Sequence, residues 1–285
     1  MPHTATPSSA PALPPRWLII ALLALPQIAE TILAPALPDL ARHWRLDAAT
    51  TQPVMGIFFV GFACGVLVWG QLADAWGRRP ALLTALAISL AGTLGAVAAP
   101  TYAWLLAGRF VQAFGLAACS VVTQTLLRDC LAGERLTRYF VTLGAVLAWS
   151  PAVGPLTGQL VAQRQGYAGV LAVIALAIAG LLLFAVRHWC ETRPAVTAAV
   201  PLAALARQML ADADLRLAVL RVAGLNLLVF SFYAAGPFMT GELPGLGFGW
   251  VGLGVALAGT LGAMLNRVMP VSYTHLRARE TREDL

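Results

Sequence analysis

Residues Gly70-Gln71-Leu72-Ala73-Asp74-Ala75-Trp76-Gly77-Arg78-Arg79-Pro80 stand between two long apolar stretches, 53–72 and 81–99. A tight turn joining two such stretches calls for Gly at both ends, so that the helices approach closely and the backbone can reach positive φ. Asp74 at the edge of the apolar region can accept hydrogen bonds from a helix N-terminus or pair with an arginine. Arg78 and Arg79 add positive charge of the kind that holds a loop on the inner side of a membrane. An ordinary charged loop has no need of this spacing.

The composition around that loop agrees with a membrane setting. Of 285 residues, 59% are hydrophobic and 11% charged, with a mean hydropathy of +0.76. A soluble domain carries roughly 25% charge, and a soluble core could not hide this much apolar surface. The formal charge of +6 comes from nineteen basic residues, all Arg, scattered between apolar segments. That distribution reads as loop charge that orients helices, and nucleic acid is not an expected partner. Cys64, Cys119, Cys130 and Cys190 form no CxxC and pair with no His at ligand spacing, so neither metal nor disulfide framework is indicated. No cofactor is expected.

Eight stretches approach the roughly 20 residues needed to cross a hydrocarbon core: 17–38, 53–72, 81–99, 102–126, 138–162, 167–187, 217–240 and 247–267. Backbone polar groups must be satisfied inside lipid, so stretches of this length read as helices and the chain as an all-α membrane protein. With the N-terminus in the cytoplasm, ten arginines before the last span fall inside and three, Arg42, Arg45 and Arg164, fall outside. Residues 1–15 read as a disordered cytoplasmic tail, 16–187 as a six-helix half, 188–216 as a cytoplasmic linker with an amphipathic piece at 201–211, and 217–269 as two further helices. Residues 270–285 turn abruptly polar and resemble translated read-through, with a genuine cytoplasmic tail as the alternative, and a truncated second half is expected.

The loop at 70–80 resembles the conserved loop of the major facilitator superfamily, G-x-L-x-D-x-x-G-R-[KR]. Leu106 to Ala118 is similar to the superfamily's fourth-span motif, with Arg109 and Gln112 kept and Ala113 at the first Gly position. Ser150 to Gln159 resembles the fifth-span antiporter motif, with Gly154, Pro155 and Gly158 in place. Gln27 to Leu40, Glu191-Thr192 and Leu265-Asn266-Arg267 are similar to the drug–proton antiporter branch, the bicyclomycin and chloramphenicol resistance group in particular. The resemblance covers about 16–269. It implies a major-facilitator-type bundle in a bacterial inner membrane, monomeric at full length, with protons and a small molecule as partners. It implies that Gly70, Asp74, Gly77, Arg78, Arg79 and Asp129 form a gating loop in which the arginines pair through Asp129 in one access state. It also links Arg109 to proton coupling and the fifth-span motif to export. The usual acidic residue of the first span stands one position later in many members, where this chain has Thr31.

Read as chemistry, Arg109 in a span costs at least ~2.5 kcal/mol at the bilayer centre. Either it faces the bundle interior and meets Gln112, Gln27 or backbone carbonyls, or it snorkels to the interface. Glu30 is the carboxylate well inside a span. It either exchanges a proton between the two sides, or stays neutral and hydrogen-bonded. Pro26, Pro35, Pro38, Pro151 and Pro155 should bend their helices, and Gly144, Gly154 and Gly158 should permit close helix approach. Trp149, Asn226, Phe230 and Tyr233 are candidates to line a cavity for an amphipathic ligand.

The expected function is proton-coupled efflux of drugs or small amphipathic metabolites. A transporter of another solute, such as a sugar or amino acid, and a non-functional fragment are the alternatives. An enzyme is not expected: His3, His43, His188 and His275 lie outside the spans and no HExxH or GxSxG is present.

Overall fold

A computed structural model describes residues 13–192 and 210–240, together with isolated positions 207, 248, 250, 252–254 and 257. The elements run α1 (Arg16–Thr31), a 3-10 turn (Ala34–Ala36), α2 (Leu37–Trp44), α3 (Ala48–Thr51), α4 (Pro53–Trp76), α5 (Arg78–Val97), α6 (Tyr102–Cys130), α7 (Gly133–His188) and α8 (Ala213–Thr240). Among the described residues, six helical stretches are long and apolar enough to cross a membrane, with α7 counted once. The expected eighth span touches only isolated described positions. The linker residues 193–206 and the tail at 270–285 lie outside the described residues.

The first expected span, 17–38, is not one helix. α1 tolerates Pro26 but stops at Thr31, whose hydroxyl donates to the Gln27 carbonyl at 3.1 Å. Pro35 has no N–H to return to the Thr31 carbonyl, and the chain tightens into the 3-10 turn before α2 resumes. Asp47 caps α3 by accepting from the Thr50 N–H at 2.7 Å, and this bonding holds its carboxyl below the usual carboxylate range. Thr101 caps α6 in the same way, its hydroxyl accepting from the Trp104 N–H at 3.2 Å.

The 56 residues of α7 would extend about 84 Å if straight, nearly three times the ~30 Å hydrocarbon core. Gly166, at φ 65 and ψ −168, breaks the element in two. The segments on either side correspond to the expected spans 138–162 and 167–187. Asp39 of α2 fixes this break, its carboxylate accepting from the Tyr167 N–H at 2.9 Å.

The core forms where α6 packs on α4 and α5, with α1 beside it. Small residues bring the backbones together: a side chain at Gly61 or Gly65 would strike the carbonyl of Phe110 or Phe114. The indole of Trp69 donates to that same Phe114 carbonyl at 2.8 Å. By contrast α8 is mostly exposed, touching α2, the 3-10 turn and, through Phe230, Phe59 of α4.

Candidate transport site

Two polar assemblies stand out, one deep in the bundle and one at the α4–α5 turn. In the deep assembly Arg109 of α6 is fully buried. Its Nη1 and Nη2 donate to the Ala29 carbonyl at 3.4 and 3.5 Å, and Nη1 also donates to Oε1 of Gln112. Ala29 lies in the last turn of α1, where carbonyls lack an amide further along the helix. The guanidinium carbon sits 4.7 Å from the centre of the Phe58 ring, a cation–π contact. The interior alternative thus describes Arg109; the snorkelling one does not.

Gln112 passes the network on to α5. Its Nε2 donates to the Thr93 hydroxyl at 2.8 Å, which donates to the Ser89 carbonyl at 2.7 Å. The Ser89 hydroxyl in turn donates to the Gln112 backbone carbonyl at 2.9 Å. Every one of these side chains is buried. Glu30, 7% exposed, adjoins the assembly within electrostatic reach of Arg109, yet its Oε1 has no hydrogen-bond partner among the described residues. Tyr233 of α8 also lies within electrostatic reach of Glu30. Gln27, expected beside Arg109, is exposed: it lies on a different face of α1 from Ala29.

At the turn, Gly77 takes φ 105 and ψ 161, ending α4 and starting α5. Arg78 is 3% exposed; its Nη1 reaches Oδ1 of Asp74 at 2.5 Å and its Nε reaches Oδ2 of Asp129 at 3.0 Å. Arg79 takes a different course, donating from Nη2 to the Val186 carbonyl at 2.8 Å. The Glu191 carboxylate accepts from the backbone N–H groups of Arg78 and Arg79 at 2.8 and 3.1 Å. Gly70 departs from the expectation. It lies inside α4, and a Cβ there would meet Val121 at an ordinary 3.8 Å, so neither close approach nor positive φ requires glycine.

In α7, Gly154, Pro155 and Gly158 are buried. A Cβ at Gly154 would strike the Thr31 hydroxyl, and one at Gly158 the Ile32 carbonyl, so this motif presses on the end of α1 one residue from Glu30. Gly144 is exposed, and no atom of the described residues lies within 4 Å of an added Cβ, so its expected packing role is not seen among them. Of the cavity candidates, Phe230 lies 4.5 Å from Phe59 and 6.1 Å from Tyr233, centre to centre. Trp149 and Asn226 are exposed and do not join them. Among the described residues no cluster of metal-binding side chains occurs.

Comparison with known proteins accords with this geometry. The model of the Major Facilitator Superfamily matches residues 19–280. An uncharacterized transporter of Rickettsia bellii is 29% identical over 227 residues, 79% of this chain and 56% of that protein. Multidrug resistance protein D of Escherichia coli is 29% identical over 62% of this chain and 45% of its own length. A chloramphenicol resistance protein of Pseudomonas aeruginosa is 34% identical over 56% of this chain and 38% of its own. The chain spans about half the length of the curated relatives it matches. Among solved structures, a D-xylose-proton symporter superposes with TM-score 0.56 at 13% identity, over 89% of this chain and 66% of that one. A peptide transporter POT superposes with TM-score 0.53 at 13% identity, over 88% and 51%; both likenesses concern the fold. With its buried Arg109–Gln112 network, its Gly77 turn and a family match over most of its length, the chain belongs to the major facilitator superfamily of multi-pass membrane transporters.

Proposed function

We propose that this chain serves proton-coupled efflux of small amphipathic molecules. The supporting observation is Glu30: a buried carboxyl with an oxygen unpartnered among the described residues, within electrostatic reach of both Arg109 and Tyr233 of α8. A proton taken up by Glu30 from one side neutralises its charge and changes its attraction to Arg109. Release to the other side restores that attraction, and the neighbouring helices rock between the two states. Phe59, Phe230 and Tyr233 supply the apolar wall against which a substrate lies.

The multidrug and chloramphenicol resistance proteins among the relatives support a drug-like substrate. The ten-to-three distribution of arginines supports a cytoplasmic N-terminus in a bacterial inner membrane. On this reading residues 16–187 are the N-terminal half, 188–216 the linker and 217–269 the opening of a second half, and the full-length transporter is a monomer.

The test is drug-stimulated proton movement in inverted vesicles carrying the full-length transporter. Glu30→Gln should abolish the proton signal while drug binding persists, and Arg109→Ala should reduce both. Proton movement unchanged in Glu30→Gln would remove Glu30 from the coupling step. Transport indifferent to the proton gradient would remove the coupling altogether.

A further inference from the structure

A cavity lies between the start of α1, the end of α6 and the start of α7, and Arg109 is not among the residues that line it. We propose that it holds the phosphate headgroup of an anionic phospholipid. Its volume is about 730 Å3, and Arg16, Arg135, Arg138 and Tyr139 line it. Three exposed arginines share the lining of one space, a concentration of positive charge that favours an anionic occupant. Among the described residues only Arg138 is answered by a carboxylate, its Nη2 lying 2.6 Å from Oε1 of Glu134. Arg16 and Arg135 make no hydrogen bond or ion pair among the described residues. The Tyr139 hydroxyl is buried, has no hydrogen-bond partner among the described residues, and lies within electrostatic reach of Arg16.

The remaining wall separates a lipid from a free anion. Leu13, Pro14, Pro15, Ile20, Leu131 and Leu143 complete the cavity. A soluble phosphate gains nothing from that apolar surface, whereas the glycerol and upper acyl chains of a lipid cover it. The position also fits, because Arg16 opens the first membrane helix and headgroups gather at the ends of spans. Guanidinium forks match phosphate oxygens in bidentate fashion, and the Tyr139 hydroxyl can donate one more hydrogen bond.

The experiment measures binding of phosphatidylglycerol to the purified chain in detergent, with thermal melting as a second readout. Phosphatidylethanolamine and inorganic phosphate are the comparison probes. Phosphatidylglycerol should bind and raise the melting temperature, while the other two should do neither. Arg16→Gln with Arg135→Gln should weaken phosphatidylglycerol binding about thirtyfold, and Tyr139→Phe should weaken it severalfold. Arg42→Gln with Arg164→Gln, at exposed positions away from this cavity, should leave it unchanged. Circular dichroism and elution volume establish that each variant folds, and the single substitutions carry the test if the double one does not. Equal binding of phosphatidylethanolamine, or phosphatidylglycerol binding indifferent to the arginine substitutions, overturns the proposal. Stabilisation by inorganic phosphate alone, with nothing added by the lipid, overturns the lipid as the source of the phosphate.

Discussion

Oε1 of Glu191 lies 2.8 Å from the backbone nitrogen of Arg78, joining the end of α7 to the start of α5 across 113 residues. The carboxylate sits at the positive end of the α5 dipole and satisfies amides that have no partner within the helix. The turn between α4 and α5 is therefore closed from outside by a residue beyond the sixth expected span. Arg78, held at once by Asp74, Asp129 and Glu191, is the point where α4, α5, α6 and α7 are tied together.

Removing this cap should loosen the turn without touching the deep site. Glu191→Ala should cost about 1 kcal/mol and lower the melting temperature of the purified protein by a few degrees. Glu191→Gln keeps the acceptor oxygen and should lose less. Gly77→Ala should cost more than either, since Gly77 holds φ 105 and its Cβ would stand 2.5 Å from Oε2 of Glu191. Equal melting of all three variants and the parent would mean that the cap carries no stability.

The Arg109–Gln112–Thr93 chain should behave as one unit. Thr93→Val deprives Gln112 Nε2 of its acceptor, and Gln112→Leu deprives Arg109 of one acceptor and Thr93 of its donor. Each leaves a buried polar group unpaired, at about 1–3 kcal/mol. Because both break the same contact, the double variant should lose clearly less than the sum, and a double-mutant cycle on melting curves measures the difference. Strict additivity would show that the two residues act independently.

Much of this arrangement was legible in the sequence because its signals are local. The turn at 70–80 announces itself by Gly, Asp and paired Arg within eleven residues, and Arg109 and Gln112 stand one helical turn apart. What escaped notice depends on distant partners or on fine helix geometry. No spacing links Glu191 to Arg78 or Asp39 to Tyr167. Ser89 and Thr93 did offer a signal, two hydroxyls four residues apart in an apolar span, that their later pairing with Gln112 explains. Gln27 was a reasonable partner for Arg109 by chemistry, but Ala29, on another face of α1, presents its carbonyl instead. The break after Thr31 follows from Pro35, although hydropathy alone runs straight through it.

Phe230 is where α8 meets α4, its ring centre 4.5 Å from that of Phe59 at an angle of 64°. Such edge-to-face pairs contribute about 0.5–1.5 kcal/mol beyond area burial. Phe230→Ala in the full-length transporter should weaken binding of an amphipathic dye about tenfold. Trp149→Ala, at an exposed position away from these rings, should leave it unchanged. Fluorescence titration of the dye in detergent distinguishes the two, and the reverse ranking would place the substrate against the other face of the bundle.

Gly144, Gly154 and Gly158 of α7 give a graded test of helix approach. A methyl at Gly158 meets the Ile32 carbonyl, a backbone atom that cannot turn aside. One at Gly154 meets the Thr31 hydroxyl, which can rotate away at the loss of its 3.1 Å bond to Gln27. At Gly144 an added methyl meets no atom of the described residues within 4 Å. Gly158→Ala should therefore be the most disruptive, at about 1–3 kcal/mol for forced overpacking, with Gly154→Ala intermediate. Gly144→Ala should be neutral or slightly stabilising, because alanine is the better helix former. Melting temperatures of the three variants check the order. Since Thr31 and Ile32 follow Glu30 directly, Gly158→Ala should also slow the rocking step, seen as a lower proton-coupled turnover at unchanged drug binding. Disruption as large at Gly144 as at Gly158 would show that helix propensity, not contact with α1, governs this segment.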